Sequence, residues 1–276
     1  MLFCAGCGTE LNLPNETQTE SLPKSMLKNR ATGLNAGSAT IILLAYMSTQ
    51  IFCGYSMEVV ASRIAAAQGI HNLQQVNSIS DMLVPTAIVL SFVLGGIVIV
   101  LMSFALITKH LKDTSPIGAA WVTGRWEFVV KGLIIGLIIG ACDQTFILIA
   151  RHYVTYKDLD PLHRMAFTPG LPQIIWVVVA VLLAPPVEEM LFRGVLYGGY
   201  RKSFGPFWAA VSTTLLFVAL HIPYYTHFLS NVIGIIGATL AALWCRLRWK
   251  AIGPAIGVHI GYNSMAALII VCKTWH

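Results

Sequence analysis

Charge is what this sequence has least of. Only 11% of its 276 residues are Asp, Glu, Lys or Arg, and 56% are hydrophobic. A soluble domain carries about 25% charged residues, so a water-facing globule is excluded. The apolar residues fall in long runs, and runs of about 20 are read as membrane spans. The expected class is all-α: a polytopic transmembrane helical bundle of about seven spans, preceded by a short polar leader.

The common catalytic signatures are missing too. There is no G-x-S-x-G elbow and no H-E-x-x-H pair. The G-x-G-D signature of intramembrane aspartyl proteases and a Walker loop are also lacking. The six cysteines form no disulfide framework. Cys53, Cys142, Cys245 and Cys272 each stand alone in an apolar run and read as small buried hydrophobes. The opening residues are Cys and polar ones, which does not read as a cleavable signal peptide. The formal net charge of +6 does not signal nucleic acid. The basic residues lie between apolar runs, where they meet anionic lipid headgroups.

The leader, residues 1–38, carries Cys4-Ala5-Gly6-Cys7-Gly8. Thiolates at that spacing hold one side of a tetrahedral zinc, but four ligands are needed and no second knuckle follows. The stretch resembles the zinc-ribbon leader of many bacterial membrane proteins, cut in half. Zinc at Cys4 and Cys7 would need a second chain, as in a homodimer; otherwise the knuckle is vestigial. Residues 11–37 read as a tether.

Two membrane parts follow, N-terminal spans in 39–170 and a C-terminal core in 171–276. The expected spans are about Ala39–Met57 (with a helix continuing through Glu58 and Arg63), Leu83–Thr108, Phe128–Ala150, Leu171–Tyr197, Phe207–His221, Phe228–Trp244 and Ala251–Cys272. His71–Asp81, Lys109–Arg125 and the basic stretch Arg246–Lys250 read as loops, and Pro223 as a break. In the third span, Gly132, Gly136 and Gly140 form a small-residue stripe that allows close helix contact. Asp143 and Gln144 near its end read as a polar contact between helices. With the N-terminus inside, the Lys/Arg-rich loops fall on one side, and the positive-inside rule then makes that side cytoplasmic. The expected location is the cell membrane, multi-pass.

The fourth span contains Pro185-Pro186-Val187-Glu188-Glu189-Met190-Leu191-Phe192-Arg193. A charge at bilayer depth costs at least ~2.5–3.5 kcal/mol, and this span carries three. Such charges face a protein interior or a wet cavity. Glu189 and Arg193 are four apart and share a helix face, so Arg193 neutralises Glu189. Glu188 points about 100° away and is left without a partner. A carboxylate in that position is a better base. The two prolines remove backbone donors and free carbonyls nearby. The bland alternative is a structural ion pair between packed helices.

Two later spans add polar groups at matching depth. Phe217 and His221 share one face, and so do His259 and Asn263. A carboxylate, two imidazoles and an amide suffice for hydrolysis. Glu188 takes a proton from water, the imidazoles hold that water directly or through a metal, and Asn263 donates to an oxyanion.

Glu188-Glu189-x-x-x-Arg193, Phe217-x-x-x-His221 and His259-x-x-x-Asn263, in that order in late spans, resemble the CPBP intramembrane proteases. That family is also called ABI and includes the type II CAAX prenyl endopeptidases. The resemblance covers roughly Leu171 to Cys272. It implies a membrane-embedded endopeptidase acting on a membrane-bound protein or peptide in the lipid bilayer, in CAAX-like processing, peptide maturation or bacteriocin immunity. It implies that Glu188 is the water-activating base, helped by His221. His259 and Asn263 would bind the oxyanion or hold the water, and Glu189 and Arg193 would support them. A divalent metal, zinc among the candidates, is left open. The other class is a non-hydrolytic membrane protein, either a proton-coupled transporter or an immunity protein that acts by binding. A transporter should show an internal repeat with broken helices in both halves, and the first half has no counterpart of Pro185-Pro186-Val187-Glu188-Glu189.

Overall fold

A computed structural model describes residues 33–150, 161–225 and 229–275. The Cys4/Cys7 knuckle lies outside the described residues. The described residues are mostly helical, with no strand among them. Helix α1 (Ala36–Ala67) begins at a reciprocal cap: the Ser38 amide donates to Asn35 Oδ1 and the Asn35 amide to Ser38 Oγ, both at 3.0 Å. Its 32 residues span about 48 Å at 1.5 Å per residue, more than the ~30 Å hydrocarbon core. The expected continuation past Glu58 and Arg63 is therefore present.

Helix α2 (Leu73–Ile107) returns antiparallel and corrects the expected loop at 71–81. Asn72 caps it, accepting from the Gln74 amide at 2.8 Å. The polar residues Gln74, Gln75 and Ser78 are largely exposed on its first turns, and polarity outside the bilayer core is no bar to a helix. Buried Ala61 and Ala65 of α1 pack with Ile79 there. Helix α3 (Trp126–Ala150) follows, then the short α4 (Pro161–Ala166). Helix α5 (Leu171–Phe204) is the long central span. Helices α6 (Pro206–Tyr225), α7 (Leu229–Trp249) and α8 (Gly253–Thr274) complete the bundle. The chain is a multi-pass membrane protein. Among the described residues, six helices are long and apolar enough to cross a membrane, and the apolar part of α6, Pro206–His221, is shorter.

Two expected interruptions are absent. Helix α6 runs on through Pro223, and α7 runs through Arg246 and Arg248 to Trp249. Arg246 is fully buried: its Nη2 donates to the carbonyls of Ser115 and Gly118, and its guanidinium lies 5.4 Å from the Tyr197 ring.

The start of α1 meets the end of α5, where the Ala36 amide donates to Ser203 Oγ at 3.0 Å. The end of the chain meets the start of α5, where Trp275 Nε1 donates to Gln173 Oε1 at 2.7 Å. The first and last described residues thus lie at opposite ends of α5.

The glycine stripe of α3 has a partner that sequence reasoning missed. A Cβ on Gly132 or Gly136 would fall on the carbonyl oxygen of Pro254 or Val258 of α8. Reciprocally, a Cβ on Gly257 or Gly261 of α8 would fall on the carbonyl of Val129 or Leu133 of α3. Two glycine stripes interlock and let the backbones approach closely, which is how helices associate where lipid gives no hydrophobic drive. The helix that carries His259 is thereby seated without slack. Above it, Tyr262 donates to Asp143 Oδ2 at 2.8 Å, the helix contact expected for Asp143.

Residues 108–125 are more than a polar loop. Ala119 and Ala120 are fully buried. Amides of Ala119, Ala120 and Trp121 donate to the carbonyls of His110, Asp113 and Leu111 at 3.0, 2.9 and 2.6 Å. A buried loop must satisfy its backbone groups, and this one does so by folding onto itself and onto α5, α7 and α8.

Candidate active site

The catalytic-looking segment sits at the middle of α5. Alpha-helical Ala184–Glu189 lies between two π-helical turns, Val179–Leu183 and Met190–Leu196. The first follows from the prolines. The Ala184 amide donates to the Val179 carbonyl, five residues back. The next donor in that register is Pro185, which has no N–H. The Ala180 carbonyl is thereby left free, and Asn263 Nδ2 takes it at 2.7 Å. Wider turns of this kind occur mostly at functional sites.

Glu189 is fully buried and Arg193 is 3% exposed. Arg193 Nη1 donates to Glu189 Oε1 at 2.8 Å, the pair expected from their spacing. His259 Nδ1 lies 2.9 Å from the same oxygen. A carboxylate can only accept, so His259 donates there. His221 Nδ1 lies 2.7 Å from the Phe217 carbonyl, also an acceptor, and His221 donates too. Both imidazoles, as neutral rings, then present an unprotonated Nε2.

Both of those nitrogens face Glu188. Its Oε2 is 3.9 Å from His221 Nε2 and 3.8 Å from His259 Nε2, and it makes no hydrogen bond among the described residues. Three lone-pair atoms from α5, α6 and α8 thus converge on one place. A water is the group that such a place suits. It donates to acceptors at about 2.8 Å and fits off the line joining atoms 3.8–3.9 Å apart.

Phe217 is the floor. Its ring stacks on the His221 ring at 4.4 Å and meets the edges of Phe192 at 5.0 Å and His259 at 5.8 Å. The Arg193 guanidinium lies 4.3 Å from its centroid, a desolvated cation–π contact. One aromatic residue therefore supports both imidazoles and the buried arginine.

The structure brings together Glu188, Glu189, Arg193, His221 and His259. Asn263 lies one turn beyond His259 on α8 and binds the π-turn below the carboxylates. Among the described residues, no group of three or more His, Cys, Asp and Glu side chains is arranged to hold a metal ion. No step below runs through a metal. The group that sequence reasoning missed is Trp121, whose Nε1 donates to the Met190 carbonyl at 3.1 Å, directly after Glu189. The available signal was the Gly194-x-x-x-Gly198 spacing in α5, a small-residue groove needing an occupant.

A membrane helical bundle with a buried carboxylate–imidazole cluster is the class these features define. Within it, residues 170–265 match the family model described as Type II CAAX prenyl endopeptidase Rce1-like. The matched stretch, about a third of the chain, contains all three motifs. The family match and the motif resemblance point to the same grouping. No curated protein and no solved structure matches the chain.

Proposed function

We propose that the protein is an endopeptidase that hydrolyses a peptide bond in a membrane-associated protein or peptide, with Glu188 activating water. The observation that carries this reading is the convergence of Glu188 Oε2 with two Nε2 lone pairs at 3.8 and 3.9 Å, both Nδ1 protons being held elsewhere. Glu188 lies midway along a 34-residue helix, so the scissile bond is presented at membrane depth.

In this reading a water bridges Glu188 and one imidazole. Glu188 takes a proton as the oxygen attacks the carbonyl carbon. The carbonyl oxygen becomes an oxyanion, and the second N–H of Asn263 is the donor it would use. The proton on Glu188 then passes to the leaving nitrogen, the C–N bond breaks, and the new carboxyl group gives its proton to the amine, leaving a carboxylate and an ammonium. Glu189 and Arg193 take no part in proton transfer. Glu189 fixes the His259 tautomer, and Arg193 balances the charge of Glu189. The same reading places the end of the bundle that holds residues 109–125 and 246–252 in the cytoplasm, because the basic residues gather there.

The test is single-turnover cleavage of membrane-presented peptides in heavy-oxygen water. One label should enter the new carboxylate, with no burst of the first product and no effect of serine- or cysteine-directed inhibitors. A trapped acyl-enzyme, or a Glu188→Gln variant with full activity, would overturn the reading.

A further inference from the structure

The 108–125 strap is tied to three helices. Arg246 of α7 donates to the carbonyls of Ser115 and Gly118. The Ile252 amide, just before α8, lies 3.1 Å from the Ala120 carbonyl and 3.0 Å from that of Val122. Along α5, the strap occupies the groove left by two glycines. A Cβ on Gly194 would lie 2.7 Å from Trp121 Nε1 and 3.0 Å from the Ala119 carbonyl oxygen. A Cβ on Gly198 would lie 2.7 Å from the Gly118 carbonyl oxygen. Ala120 has φ +53°, a left-handed conformation that alanine avoids. Such a conformation persists only where its surroundings over-determine it, and such sites cluster where geometry matters to function.

The tip of this strap is the Trp121 indole, donating to the Met190 carbonyl. Met190 opens the π-turn that carries Arg193, and its neighbour Glu189 accepts from His259 of α8. The strap therefore bridges the two helices whose side chains must meet. We propose that Trp121 is a positioning residue for this site, holding the Met190 carbonyl and with it the placement of Glu188 and Glu189 against His259. The indole N–H is the operative group: tryptophan there is a donor only, and phenylalanine would keep the ring and lose the bond.

The proposal deepens the endopeptidase reading, and its kinetic arm rests on that reading. A small misplacement away from the chemistry can cost up to about 100-fold in rate. Trp121→Phe should therefore lower kcat by roughly 10- to 100-fold and leave KM within about twofold, as expected for an interaction expressed in the transition state. Gly194→Ala keeps the indole but pushes it off the carbonyl, and should give the same split. Trp208→Phe removes an exposed indole on α6 and should match wild type. A purely structural role for Trp121 predicts less folded enzyme, with kcat per folded molecule unchanged.

A second readout needs no activity. Hydrogen exchange on the full chain in detergent should show faster exchange across residues 190–197 in Trp121→Phe, with residues 236–245 unchanged. If wild type cleaves no peptide while Glu188→Gln behaves like it, the endopeptidase reading fails and exchange alone decides the positioning role. Wild-type exchange across 190–197 in Trp121→Phe, or wild-type kcat in an active enzyme, overturns the proposal.

Discussion

Replacing Glu189 by glutamine tests the division of labour between the two carboxylates. Arg193 Nη1 and His259 Nδ1 both contact the same oxygen, Oε1, and among the described residues Oε2 has no hydrogen-bond partner. A glutamine that keeps its carbonyl in the Oε1 position preserves both hydrogen bonds. What it removes is charge. Hydrogen bonds to charged groups contribute about 1.5–3 kcal/mol and neutral ones about 1, so the His259 bond, neutral on both sides after the change, loses roughly 1 kcal/mol. Arg193, 3% exposed, is also left without its counter-ion, and breaking a buried pair costs about 3–5 kcal/mol in all. Even 3 kcal/mol is more than 100-fold in the folding equilibrium. Glu188→Gln is the contrast. Its closest ionic contacts are 3.8 and 3.9 Å, beyond hydrogen-bond range, so little stability goes with its charge. Loss of a general base costs about 10²–10⁴ in rate. The expected pattern is a folded, inactive Glu188→Gln and an early-melting Glu189→Gln. Thermal unfolding in detergent, followed by peptide cleavage on the folded fraction of each, reads both quantities. A Glu189→Gln that melts with wild type while losing all activity would refute the reasoning and exchange the two roles.

The α3–α8 seam gives a second expectation. Gly136→Ala should destabilise by about 1–3 kcal/mol or more, because its Cβ meets backbone that cannot turn away. Gly237→Ala, whose Cβ would lie no closer than 3.7 Å to Ile139 Cγ2, should be neutral or slightly stabilising; equal effects in a melt would mean the seam is not close-packed. Orientation gives a third: fusion reporters should place the N-terminus in the cytoplasm and the C-terminus on the opposite side, and a common side would remove the seven-crossing arrangement.

Composition and residue spacing decided the local features. Charge scarcity and apolar run length decided a membrane helical bundle, because a helix in lipid satisfies its own backbone within one segment. Spacing of four decided that Glu189 meets Arg193 and that Phe217 meets His221, since both pairs lie on single helix faces. Depth counted along each span brought Glu188 to the level of the two histidines. Where polar residues stood outside the bilayer core, the same reasoning failed, and the start of α2 and the end of α7 are helix instead of loop.

Which partner each group takes depends on how the helices pack. Nothing near Glu189 in the chain announces that His259, seventy positions later, shares its oxygen with Arg193. The Ala180 carbonyl is freed by Pro185 locally, but its capture by Asn263 depends on how α8 is seated, and that seat is set by two glycine stripes far apart in sequence. The strap at 108–125 reads as an ordinary polar connection until Arg246, Ile252 and the groove at Gly194 and Gly198 are in place to hold it. Each of these contacts is short in space and long in sequence, and helix periodicity carries no information across that distance.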